Sequence, residues 1–193
     1  MSNKILKLHG CSGAGKSTVV RSLMLSAPTV HEIIPEGSKN GNPEAYACEF
    51  PDYDVPIIVL GSYKNNCGGM DTVDSAAKAI ELVKYYHSIG HVLHEGLLQS
   101  TYYGAMGKDA EQYGDDYIYA FLDTPILVCL ERVTHRRDVQ GSKNKFNSQL
   151  TIDKYNTIAR LREKLIKNGQ RVYDFKYLDD PVGQIHTLMR SGA

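Results

Sequence analysis

Residues 10–18 read G-C-S-G-A-G-K-S-T and constrain this chain more than any other stretch. They fit G-x-x-x-x-G-K-[ST], with Gly10, Gly15, Lys16 and Ser17 at the four fixed positions. Residues 5–9 (I-L-K-L-H) before the loop read as a short buried strand. Residues 17–26 after it read as a helix with Val19, Val20, Leu23 and Met24 on its apolar side. A glycine loop between a strand and a helix turns its N–H groups inward and forms a nest for anions. The helix beginning near Gly15 adds a positive dipole end and free N–H groups.

A nucleotide therefore belongs at Gly10, Ser12, Gly13, Ala14, Gly15, Lys16, Ser17 and Thr18. Lys16 would meet the β- and γ-phosphates, and Ser17 would offer its hydroxyl to Mg²⁺. With no nucleotide present, Lys16 is expected to be exposed.

Further along, periodicity predicts strands near residues 30–34, 46–50, 57–60, 91–95, 117–122 and 171–178. Helices are predicted over 71–90, within 99–114, from Pro125 to about Arg136, over 149–168 and over 182–189. Strands alternating with helices of this length mean βαβ units. The expected fold is one α/β domain over 1–193, with a mainly parallel five-stranded sheet covered on both faces. Ligands bind such sheets at the carboxyl ends of the strands.

Bulk properties narrow the class. The chain has 193 residues, enough for one substantial core. Lys+Arg and Asp+Glu number 22 each, so the formal net charge is zero, which argues against a broad cationic surface. The four cysteines show no paired spacing, so neither a zinc site nor a disulfide framework is expected, and a reducing, cytoplasmic setting is. No run of 18 apolar residues is present, and no membrane partner is expected.

Candidate chemistry sits at the strand ends. Glu95 closes H-V-L-H-E and could organise Mg²⁺ or act as base toward an acceptor hydroxyl. Asp71, after C-G-G-M, could bind a sugar or base hydroxyl, or cap the 71–90 helix. Glu36, after the second strand, could face the acceptor or be a plain loop acid. Asp123 and Thr124 read mainly as a helix cap before Pro125. Arg132, Arg136 and Arg137 precede a Gly-, Ser- and Asn-containing stretch that also carries Lys143 and Lys145. Residues 134–148 then read as a lid whose arginines stabilise a transferring phosphoryl group, with a solvated basic helix end as the alternative. The histidines form no metal spacing.

Taken together, G-C-S-G-A-G-K-S-T, H-V-L-H-E-G and F-L-D-T-P-I-L-V-C-L-E-R-V-T-H-R-R resemble the nucleoside and nucleotide monophosphate kinase group of P-loop proteins. There the fourth strand leads into an arginine-bearing helix and then a lid, which Arg132 and Arg136 match. Pro35 precedes Glu36, the reverse of the deoxynucleoside kinase order, and the Asp-Arg of thymidylate kinases is absent. The stretches 61–71 and H-E-G-L-L resemble small phage-encoded P-loop kinases, including 5-hydroxymethyluracil DNA kinases. The resemblance implies ATP and Mg²⁺ as cofactors and a nucleotide-like acceptor, either a small molecule or modified DNA, with a homodimer allowed. The rival is an NTP-binding switch or ATPase with water as acceptor, although the N-K-x-D motif of G-protein switches is missing.

Overall fold

The structure is a computed structural model that describes residues 2–37, 41–65, 68–96, 104–142 and 146–190. Seven strands form one sheet in the order β2-β3-β4-β5-β1-β6-β7. They are β1 (Ile5–His9), β2 (Thr29–Ile33), β3 (Ala45–Glu49), β4 (Ile57–Leu60), β5 (His91–Glu95), β6 (Tyr117–Asp123) and β7 (Arg171–Lys176). Strands β4, β5, β1, β6 and β7 pair in parallel. β3 pairs antiparallel with both β2 and β4.

The five-stranded expectation is thus corrected to seven. Five strands make the parallel part, and β2 and β3 extend it. The reason lies in the β3–β4 connection, where residues 50–56 include Pro51 and Pro56. A link that short cannot carry a crossover helix, so the strands must meet antiparallel.

The helices are α1 (Lys16–Ser26), α2 (Ala76–His87), α3 (Gly104–Glu111), α4 (Ile126–Val139), α5 (Ser148–Lys167) and α6 (Pro181–Arg190). Alternation along β1 separates two cores. Leu6 and Leu8 face Val20 and Leu23 of α1 and Ile185 and Leu188 of α6. Ile5 faces the opposite side, with Leu82 and Val83 of α2 and Ile158 and Leu165 of α5. Near-continuous apolar strands such as I-I-V-L in β4 follow from burial on both faces.

Two caps differ from expectation. α2 begins at Ala76, with Ser75 accepting from Lys78 N, so Asp71 does not cap it; Asp71 belongs to a 3₁₀ turn, Met70–Thr72. α4 has Pro125 at its N-cap position and no side-chain cap, so Asp123 and Thr124 are not caps either. α2 ends at His87 and not at Gly90. A Cβ on Gly90 would lie 2.4 Å from Pro56 O, so that glycine serves close packing. The proposed lid lies partly outside the described residues, at 143–145. Its start, 134–139, is the last part of α4. The stretch 97–103, which opens the predicted 99–114 helix, also lies outside them.

Candidate active site

Gly13 and Gly15 adopt φ of 83° and 100°, values open to glycine and strained for other residues. A Cβ on Gly13 would stand 2.2 Å from Cys129 O, so the loop presses directly onto α4. α1 starts at Lys16 with no side-chain cap. Its first N–H groups are left for a ligand, an arrangement suited to an anion.

The expected exposure of Lys16 is corrected. It is 7% exposed. Its Nζ donates to Gly10 O at 2.8 Å and to Cys11 O at 3.4 Å, so the side chain folds back on the loop carbonyls. Thr124 anchors the loop from β6, its Oγ1 donating to Ala14 O at 2.9 Å. Sequence reasoning missed this role, since the contact spans 110 residues and Thr before Pro reads as a cap.

Ser17 Oγ donates to Glu95 Oε1 at 2.7 Å, and Lys16 Nζ lies 3.9 Å from Glu95 Oε2. Glu95 ends β5 in register beside Leu8, next to the loop. Burial pushes its carboxyl above the usual carboxylate range. Lys16 and Ser17 oppose that rise, Asp71 adds to it, and Tyr63 opposes it weakly.

Tyr63, Gly69 and Asp71 surround this carboxylate. A Cβ on Gly69 would meet Glu95 Oε1 at 2.8 Å, and one on Gly96 would meet Asp71 Oδ1 at 3.1 Å. Tyr63 is buried beneath Gly68, and Arg21 stacks over its ring at 5.7 Å.

These groups line one cleft of about 770 Å³. It runs from the β7–α6 turn (Tyr177, Leu178), across the phosphate loop, to Gly68, Asp71 and Glu95. Arg132 donates to Gly13 O at 3.3 Å and stacks over Tyr177 at 5.7 Å. Arg136 and His135 also line the cleft. Arg137 instead stacks over Phe146 at 5.9 Å and is not among the lining residues.

Glu36 is not brought to the cleft. β3, β4 and β5 stand between β2 and β1, which leaves Glu36 exposed at the sheet edge. Tyr177, His135 and Arg21 carried no signal in the sequence, having no motif and lying far apart along the chain.

Ser17 and Glu95 are a fitting donor set for Mg²⁺, a hard cation that takes few protein oxygens and completes its shell with phosphates and water. No group of three or more His, Cys, Asp or Glu side chains converges among the described residues, as such a site requires none. No helix among them is long and apolar enough to cross a membrane.

A phosphate loop after β1, a Lys–Ser–Glu cluster at the neighbouring strand end and an arginine-bearing helix over the cleft define a P-loop kinase, a phosphotransferase. A family model described as 5-hmdU DNA kinase matches residues 2–168, and the chain belongs to that family. A relative from Pseudomonas phage M6, named 5-hmdU DNA kinase, is 34% identical over 184 residues, covering 90% of this chain and 91% of that protein. One of the same name from Pseudomonas phage PaMx11 is 33% identical over 139 residues, 69% of each chain. A third, from Bacillus phage SP10, is 25% identical over 180 residues, which is 88% of this chain but 26% of that protein. Among solved structures, shikimate kinase from Acinetobacter baumannii in complex with shikimate matches with a TM-score of 0.46 and 16% identity. That match covers 97% of this chain and 92% of the other.

Proposed function

We propose that this chain transfers the γ-phosphoryl group of ATP to the hydroxymethyl oxygen of 5-hydroxymethyluracil in DNA. The observation that carries the reading is the continuity of the cleft. It joins an uncapped helix terminus and Lys16 to two carboxylates, Glu95 and Asp71, at its far end. Family membership supplies the acceptor.

The residues divide as follows. The loop amides and Lys16 bind the phosphates, and Lys16 exchanges the carbonyls of Gly10 and Cys11 for phosphate oxygens. Tyr177, over whose ring Arg132 stacks, offers a planar face for the nucleobase at the opposite end of the cleft. Ser17 and Glu95 hold Mg²⁺, which when bound neutralises charge on the phosphates. Arg132 and Arg136, on the cleft-facing side of α4, stabilise the charge spread over the transferring group. A base inside a duplex cannot reach such a cleft, so the target base enters flipped or from a single strand.

The test is ATP labelled at the γ-position, with oligonucleotides that contain 5-hydroxymethyluracil, single- and double-stranded, beside the free nucleoside and nucleotide. Label on the hydroxymethyl group of the oligonucleotide is the expected result. Label only on the free nucleoside or nucleotide removes DNA as the acceptor. Free phosphate alone makes the chain an ATPase.

A further inference from the structure

The Glu95 carboxylate has neighbours from two elements. From α1 come Ser17 Oγ, which donates to Oε1 at 2.7 Å, and Lys16 Nζ, 3.9 Å from Oε2. From the segment after β4 comes Tyr63, 7% exposed. Its hydroxyl faces the carboxylate and makes no close hydrogen bond elsewhere among the described residues. Burial and the Glu95 charge push this phenol well above its ordinary value, so it stays a protonated donor.

The tyrosine is braced at its backbone and at its ring. Tyr63 N donates to Tyr46 Oη at 3.1 Å, and Arg21 Nη2 donates to Tyr63 O at 3.2 Å. Arg21 also stacks over the ring at 5.7 Å, and the Tyr46 ring meets it edge-on at 6.1 Å. A Cβ on Gly68 would lie 2.7 Å from Tyr63 Cδ1, and one on Gly69 2.8 Å from Glu95 Oε1. Adjacent glycines thus press one on the tyrosine and one on the carboxylate. Ser17 and Arg21 are four residues apart and share a face of α1, so one helix both meets Glu95 and holds Tyr63. A buried hydroxyl without an acceptor costs about 1–3 kcal/mol, so packing alone would be served better by phenylalanine. The hydroxyl has a purpose if Glu95 is its partner.

We propose that Tyr63 is a positioning residue for the metal site: its hydroxyl donates to Glu95 and holds that carboxylate in the orientation in which it and Ser17 take Mg²⁺. This rests on the kinase reading above. Tyr63 is not among the residues that line the cleft, so it acts through Glu95 and not on the nucleotide or the acceptor. Hydrogen bonds behind a metal ligand fix its orientation, and losing one typically weakens metal binding about 10- to 100-fold.

The test is Tyr63→Phe, which keeps the ring and removes the hydroxyl. ATP binding is measured by calorimetry with and without Mg²⁺, beside the Mg²⁺ dependence of turnover on a 5-hydroxymethyluracil oligonucleotide. The variant is expected to bind ATP without Mg²⁺ as wild type does. It should need about tenfold more Mg²⁺ for half-maximal turnover and regain most of the wild-type kcat when Mg²⁺ saturates. An unchanged Mg²⁺ half-saturation overturns the proposal. So does an equal loss of ATP affinity with and without Mg²⁺, which would make Tyr63 a brace of the fold alone. Should Tyr63→Phe not fold, Tyr46→Phe decides instead. It leaves the Tyr63 hydroxyl in place but removes the acceptor of the Tyr63 N–H, and it should shift Mg²⁺ half-saturation in the same direction by a smaller factor; no shift overturns the proposal. A wild type whose ATP binding ignores Mg²⁺ overturns the metal reading of Ser17 and Glu95. A wild type that labels no hydroxymethyluracil DNA overturns the acceptor, while the binding measurements still test Tyr63.

Discussion

Ser17 Oγ lies 2.7 Å from Glu95 Oε1, which joins the first turn of α1 to the end of β5 across 78 residues. The pair places a hydroxyl and a carboxylate side by side at the mouth of the phosphate loop. It also leaves a carboxylate deep in the protein, where its charge opposes folding.

Glu95→Gln should therefore separate function from stability. Turnover is expected to fall on the order of 10²-fold, because an amide cannot replace the charge. Burial raises the Glu95 carboxyl, so the stability it contributes is present in acid and lost as pH rises through its folded pKa. Gln has no such loss. The variant should melt above wild type at neutral pH, and the gap should close toward acid pH. Thermal melts across pH check this, and a gap that widens in acid contradicts it.

Lys16→Met should abolish phosphoryl transfer, by about 10²-fold or more, and keep the fold. Met preserves the buried stem. The cost is two carbonyls, Gly10 O and Cys11 O, that lose a donor. Single-turnover kinetics beside circular dichroism tests both halves. Near-normal turnover in a folded variant removes the loop from the chemistry.

Thr124→Val keeps the shape and deletes the bond to Ala14 O, a contact buried between β6 and the loop. A stranded buried carbonyl costs about 1–3 kcal/mol. Urea denaturation should show that loss, with weaker nucleotide binding as the loop loosens. An unchanged midpoint would mean the hydroxyl is not an anchor.

Lys7 lies in the middle of β1, 3% exposed, and burial lowers its pKa from 10.5 to about 8. The folded state thus binds its proton less tightly than the unfolded chain does. Wild-type stability should rise with pH between about 8 and 10.5, the window those two values define. Lys7→Met should remove that slope and stabilise the protein at neutral pH, on the order of 3 kcal/mol. Denaturant melts at several pH values measure it. A destabilised Met variant would show that the amine is satisfied in place.

Arg136→Ala should lower turnover about tenfold with little change in melting temperature, and Arg137→Ala should leave turnover near wild type. Arg136 lines the cleft, while Arg137 stacks over Phe146. Equal kinetic defects in the two variants would place both arginines at the transferring group.

The sequence alone determined the phosphate loop, the α/β alternation and the carboxylate at the end of H-V-L-H-E, because each rests on local physics. A glycine at φ of 100° before an uncapped helix is a property of a few adjacent residues, and strand or helix periodicity is a property of a dozen. What required the tertiary structure was everything that depends on which strands are neighbours. The antiparallel β3 carries β2 to the sheet edge and takes Glu36 away from the cleft. Packing of Gly96 against Asp71 and of Gly69 against Glu95 leaves Asp71 on the cleft wall and not at a helix cap, two alternatives that the sequence left open. Thr124 reaches back across 110 residues to Ala14, and Arg132 stacks on Tyr177. Arg136 and Arg137 are adjacent in sequence yet differ by about 100° around α4, and only packing decides which of them meets the cleft. A chain of net charge zero with a complete loop motif could have placed its acids anywhere along the carboxyl edge. The order of strands in the sheet, set by core packing and by short or long connections, decided where they stand.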